Sequence, residues 1–271
     1  MKVLPARDYN EAAMTSLSHT IERFDPNAEF LASPEWFQGR TIYGGLTAAL
    51  ALQAVLHHLP GVLPPLKSAL ISFVGPAAGP LRFRPQLLRK GKSAAFVSVD
   101  CLAGADMCLR AEFLFATQRL SRVQHDFHAR PETERPDHYA RFDSGGKAPA
   151  SLGNFDLRPT GRTLPLSGAV NPELIAWLRH EDASGVDPTV ALIALADGLP
   201  PAAISTITDM VPFSSMTWTI DLPRPAEIGE WHLLRSTSQH ASNGYSFQVM
   251  EIWDEAGRLA LAGSQTVAVF D

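Results

Sequence analysis

With 271 residues, 45% of them hydrophobic and 19% charged, the chain has enough apolar material to build one large or two ordinary domains. A formal charge of −5, with no run of lysines or arginines, excludes a general attraction to phosphate backbones, so nucleic acid is not an expected partner. No stretch reaches eighteen uninterrupted apolar residues, Met1 to Asp8 have no apolar leader core, and Cys101 and Cys108 sit in a strand-turn-strand pattern rather than a disulfide framework, so a cytoplasmic protein without membrane contact is expected.

The first regular element follows Trp36 to Gly45, where Leu46 to Leu59 runs through Leu, Ala, Gln and Val until Pro60. A helix this apolar on every side is predicted to lie centrally rather than on a surface. Four strand-like runs follow near 66–75, 81–89, 94–103 and 107–118, separated by Gly75-Pro76, Lys90-Gly91-Lys92 and Gly104-Ala105-Asp106. One helix and a meander therefore form a unit over residues 1–118. Residues 119–154, rich in charges and prolines and containing Ser144-Gly145-Gly146-Lys147, are predicted to be a linker.

The second unit, 155–271, is predicted to begin with a short strand near 155–160 and a helical turn around Ile175 to Arg179. Asp187 and Pro188 then supply the N-cap and first residue of a second apolar helix, Thr189 to Asp197. Four more strand-like runs lie near 213–222, 230–239, 244–254 and 258–270, with Asp254-Glu255-Ala256-Gly257 as a hairpin turn. The halves can be laid over one another with a shift of about 150 residues, which sets Phe96 against Phe247 and the turn at Gly104 against the turn at Asp254.

Several common chemistries are missing. Gly91-Lys92-Ser93 imitates the end of a phosphate-binding loop, but Gln86 stands where that loop needs glycine, and a hairpin turn explains it. No Gly-x-Ser-x-Gly elbow, His-Glu-x-x-His or Cys-x-x-Cys spacing occurs, so neither a hydrolase serine nor a metal or other cofactor is expected. His57 and His58 end the first helix, where a cation complements the helix dipole.

In the second half, Trp177-Leu-Arg, the helix ending Ala194-Leu-Ala-Asp197, Pro223-Arg-Pro225, Glu230-Trp231 and Ser264-Gln265 occur in an order that resembles the TesB-like, or type II, acyl-CoA thioesterases. The first half is similar through Tyr43-Gly-Gly45, Ile71-Ser-Phe-Val-Gly-Pro and Glu112-Phe-Leu-Phe. The resemblance implies an α+β double hotdog, two antiparallel sheets each wrapped around a central helix, and an acyl-CoA substrate hydrolysed by one water held by an acid, a hydroxyl and an amide. Carried over by position, these are Asp197, Ser215 and Gln265. Ser214 and Thr217 remain rivals for the hydroxyl. It also implies a homo-oligomer, since open sheet edges can pair across copies.

The chemistry agrees with the residue types. A thioester needs a positioned water, a base for its proton and a donor for the developing oxyanion, and no covalent nucleophile. Asp197 lies in an apolar run, where burial would raise its pKa toward a useful base, although it could equally be an exposed helix end. Gln265 could face inward or outward on its strand. Gly44 and Gly45 could offer helix-start amides to a carbonyl or pyrophosphate oxygen, or merely form a tight turn. Arg82, Arg84, Arg89 and Lys90 could meet coenzyme A phosphates, but charged strand residues are usually only solvated. Two alternatives stay open: a hotdog hydratase or dehydratase, which needs a histidine at the helix start where Tyr43-Gly44-Gly45 has none, and a non-catalytic acyl-binding module.

Overall fold

The computed structural model describes residues 16–61, 63–161, 163–227 and 229–270. The reading of Met1 to Asp8 lies outside the described residues. In chain order the elements are α1 (Leu17–Glu22), the two-residue strands β1 (Phe37–Gln38) and β2 (Thr41–Ile42), α2 (Gly44–His58), β3 (Leu66–Phe73), β4 (Leu81–Lys90), β5 (Ala94–Ala103) and β6 (Asp106–Ala116). The second half has β7 (Phe155–Pro159), β8 (Glu173–His180), α3 (Pro188–Ala196), β9 (Phe213–Asp221), β10 (His232–Ser242), β11 (Tyr245–Asp254) and β12 (Leu259–Val269).

The long strands form one antiparallel sheet in the order β4-β5-β6-β3-β9-β12-β11-β10-β8-β7. Its two halves meet at β3 and β9, where Ala69 pairs with Ile220 and Ile71 with Trp218. Each half-sheet wraps a helix, so the architecture is an α+β double hotdog. The helices α2 and α3 pack on each other between the halves. Leu46, Leu50 and Leu52 of α2 are fully buried, each contributing about 1.5–3 kcal/mol, while the alanines between them let α3 and the sheet approach closely. The N-cap Asp187 of α3 accepts from the amides of Thr189 and Val190, and Pro188 sits at the first helical position, where a missing N–H costs nothing.

One expectation needs correction. Ile175 to Arg179 is not a helical turn but the interior of β8, paired with both β7 and β10. Leu174 to Leu178 are all buried because the strand is covered on both faces. Leu174, Ala176 and Leu178 enter the main core, and Ile175 and Trp177 enter a second, smaller core with Trp231, Leu233 and Trp253. A short apolar run of this kind has no strand period to read. The predicted linker supplies part of the cover. Its Glu134 carbonyl accepts from the Trp177 indole at 3.0 Å, Arg130 lies over the Trp177 ring, and Tyr139 packs against the same cluster. Residues 130–139 thus form a strap on the outer face of the sheet.

The outermost strands also bear on pairing between copies. β4 carries Pro85 among Arg82, Arg84, Arg89 and Lys90, and β7 is only five residues long. Charge, proline and shortness all discourage edge pairing, which accounts for these basic residues without a ligand. Among the described residues, no helix is long and apolar enough to cross a membrane.

Candidate active site

The C-terminal end of α3 meets the N-terminal end of α2. Asp197 caps α3, and the chain turns at Gly198, where a Cβ would lie 2.4 Å from the Leu178 side chain and 2.9 Å from the Leu195 carbonyl. Only glycine fits this turn, which aims the Asp197 carboxylate at the first turn of α2. There a Cβ on Gly44 would be 2.9 Å from Asp197 Oδ2, and the Gly45 amide donates to the carboxylate. The Tyr43 hydroxyl ties the helices together by donating to the Ala194 carbonyl at 2.9 Å.

These contacts revise the reading of the two glycines. Gly45 uses its amide on Asp197, so it is not open to a ligand, whereas Gly44 borders the cleft described below. A Cβ on Gly44 would meet the Asp197 carboxylate and the Phe73 ring, and one on Gly45 would lie 2.6 Å from the Tyr43 ring, so neither position has room for a side chain.

From β12, Gln265 faces inward and donates from Nε2 to Asp197 Oδ1 at 2.8 Å. Ser215 of β9 points at the other end of the same amide, its hydroxyl 3.5 Å from Gln265 Oε1. A β-bulge sets which of the rival hydroxyls is turned toward Gln265, although Ser214 also lines the cleft described below. Ile220 and Trp218 face the core, and strict alternation would bring Met216 and Ser214 inward after them. However, Thr217 pairs with Thr266 and Ser215 with Val267, so Met216 is an extra residue and the parity reverses beyond it. Ser214 and Thr217 are exposed, and Ser215 is turned toward Gln265.

Gln248 of β11 was missed by sequence reasoning. It is buried opposite Gln265, donates from Nε2 to Gln265 Oε1 at 2.7 Å, and accepts from the Ala202 amide at 3.0 Å. Its sequence signal was a polar residue at an inward position of an alternating strand, visible only once the register is known.

The duplication shows what is special about these positions. β3 carries the same bulge as β9, because Leu66 pairs with Phe115 and Ser68 with Leu114. By register, Ser215, Gln265 and Gln248 of the second half correspond to Leu66, Phe113 and Val97 of the first. All three of the latter are buried apolar residues. The polar set is therefore present once per chain.

Asp197, Ser215 and Gln265 line one cleft of about 340 Å³. Its walls include Ile42, Phe73, Leu109, Leu199 and Phe213, and among the described residues Asp197 is its sole charged lining residue. Desolvation pushes the Asp197 pKa up to about 6, against the hydrogen bonds from Gln265 and Gly45, which favour the ionised form. The Tyr43 phenol, buried beside this carboxylate, is held well above the usual tyrosine range, first by desolvation and then by the carboxylate's charge. Arg82, Arg84, Arg89, Lys90, His57 and His58 are not among the lining residues. Among the described residues, no group of three His, Cys, Asp or Glu side chains is placed to hold a metal ion.

Two family models match the chain in succession: the acyl-CoA thioesterase N-terminal domain over residues 32–116 and the acyl-CoA thioesterase C-terminal domain over residues 125–269. No curated protein matches it significantly. Among solved structures, a hot dog fold protein of unknown function from Alicyclobacillus acidocaldarius is similar with a TM-score of 0.81 and 21% identity, over 94% of this chain and 99% of that one. The tesB protein of Mycobacterium avium subs paratuberculosis gives 0.74 and 17%, over 97% and 99%. The acyl-CoA thioesterase II TesB2 of Mycobacterium marinum gives 0.68 and 21%, over 84% and 89%. At these identities the structural likeness speaks for the fold.

Proposed function

Because the chain belongs to the acyl-CoA thioesterase family, we propose that it hydrolyses an acyl-CoA thioester to the free acid and coenzyme A, using a water held by Asp197, Ser215 and Gln265. The observation that carries this reading is the convergence of a carboxylate with a raised pKa, an amide 2.8 Å from it and a hydroxyl on one mainly apolar cleft.

Each group has a part in the step. The ionised Asp197 takes a proton from the water as its oxygen attacks the thioester carbonyl carbon. The carbonyl electrons move to oxygen, and in this reading the Gly44 amide, in the first turn of α2 beside the cleft, donates to that oxyanion. On collapse the carbon–sulfur bond breaks, and the proton on Asp197 passes to the departing thiolate. Ser215 and Gln265 restrict the water to the attacking position. The apolar walls accept an uncharged acyl group, since among the described residues no cationic side chain lines the cleft to pair with a second carboxylate. A dehydratase would need an imidazole at this place, and among the described residues the cleft lining has none.

The test is thiol release from a panel of acyl-CoAs. The wild type should turn over at least one uncharged acyl-CoA, and Asp197→Ala or Gln265→Ala should lower kcat by about 10². A wild type that binds acyl-CoA without releasing thiol would replace the enzyme with a binding module.

A further inference from the structure

Gln248 is fully buried on β11, does not line the cleft and takes no part in the step above. Its surroundings nevertheless bear on how Gln265 is seated. The two ends of a glutamine amide are nearly equal in size, so a glutamine beside a carboxylate can turn either its NH2 or its oxygen toward it. The demands of its neighbours decide. Here both ends of a short chain of hydrogen bonds make the same demand. The Ala202 main-chain N–H can only donate and does so to Gln248 Oε1 at 3.0 Å, while an ionised Asp197 can only accept. Between them, Gln248 Nε2 donates to Gln265 Oε1 at 2.7 Å and Gln265 Nε2 donates to Asp197 Oδ1 at 2.8 Å. Ala202 opens a short 3-10 turn, Ala202–Thr206, so its amide has no earlier carbonyl of that turn to use.

The fold does not require amides at this crossing. The corresponding cross-strand pair in the first half is Val97 and Phe113, both buried and apolar. Burying two glutamines is costly unless each is satisfied, and this pair is satisfied only in the one sense of donation that ends on Asp197.

We propose that Gln248 is a positioning residue of the site: a relay running from Ala202 through Gln248 holds Gln265 with its NH2 toward Asp197. The catalytic consequence rests on the hydrolysis proposed above, whereas the orientation of Gln265 does not. The groups facing Asp197 are few. The Tyr43 phenol and the Gly45 amide come from α2 and its cap and Gln265 from β12, with Ser215 of β9 behind Gln265, and among the described residues no Lys, Arg or His lines the cleft. Among the described residues, loss of the donor from Gln265 therefore has no cation in the cleft to mask it.

Two variants separate positioning from packing. Gln248→Met has a similar length but neither donates nor accepts, and Gln248→Glu keeps the acceptor for Ala202 while placing an oxygen against Gln265 Oε1. The readouts are kcat and KM for thiol release, thermal melting, and the Asp197 pKa followed by NMR of protein carrying carboxyl-13C aspartate, with the signal assigned through Asp197→Asn. Gln248→Met should lower kcat about tenfold with KM changed by less than about twofold. Its Asp197 pKa should rise by about one unit, and that of Gln248→Glu by more. The proposal is overturned if Asp197 titrates in both variants as in the wild type, whatever their melting temperatures. If the wild type releases no thiol from any acyl-CoA, the hydrolytic reading fails, and the Asp197 titration still decides the relay.

Discussion

Asp197→Asn should change stability in a way that depends on pH and is independent of any substrate. The carboxyl has an ordinary pKa of 3.8 and is raised to about 6 in the folded chain, chiefly by desolvation. A carboxyl whose folded pKa lies above its unfolded one supports the fold fully below the lower value and loses that support as pH rises through the upper one. The difference of about two units corresponds to at most about 3 kcal/mol, an upper value because the residue borders the open cleft. Asparagine does not titrate. Its own gain or loss from exchanging an oxygen for an NH2 beside Gln265 and Gly45 is a constant that cancels when two pH values are compared. The stability of the variant minus that of the wild type should therefore grow by up to about 3 kcal/mol between pH 4 and pH 8, or about 6–12 °C in melting temperature for a chain of this size. Paired thermal melts across that range, with chemical unfolding at both ends, measure it. A difference that is flat from pH 4 to pH 8 would refute the claim that Asp197 is held in a desolvated site.

Ser215→Ala should lower kcat for thiol release by about tenfold or more, while Ser214→Ala and Thr217→Ala stay within about twofold, because the bulge at Met216 turns only Ser215 toward Gln265. Equal losses in all three would count against the register argument. Gly44→Ala puts a methyl 2.9 Å from Asp197 Oδ2 and close to the Phe73 ring, so turnover should fall sharply with a stability loss of about 1–3 kcal/mol, measured by kinetics alongside melting. Trp177→Phe keeps most of the ring but leaves the Glu134 carbonyl without its indole donor, at a cost of about 1–3 kcal/mol. Limited proteolysis should then cut faster within residues 119–154, and an unchanged digestion rate would show that the strap is not held there.

Much of the architecture was legible because local patterns and tertiary demands agree. The apolar run from Leu46 could only be a central helix, Asp187-Pro188 marks the start of α3 by its own capping chemistry, and the eight long strands of the two meanders alternate or end at glycine-containing turns. The equivalence of Phe96 and Phe247, each third in its strand and each half-exposed on the outer face, was likewise visible as a repeat. β8 was illegible for the opposite reason. Both of its faces are covered, so Leu174 to Leu178 carry no period, and the cover comes partly from a segment whose composition looks like a tether.

The residue types of the site, an acid at a helix end and an amide and a hydroxyl on strands, could be named from the chain because their order matches a family. Their arrangement was decided by contacts between residues far apart in sequence. Whether Ser215 or its neighbours faces inward depends on one extra residue in β9, and a shift of one residue reverses every side chain. Whether Gly45 is open or occupied depends on where α3 ends against α2, and which end of Gln265 meets Asp197 depends on Gln248 and on a main-chain amide at Ala202. Composition and periodicity report how a segment meets a core, whereas register, bulges and the direction of a hydrogen-bond chain exist only after the strands have paired.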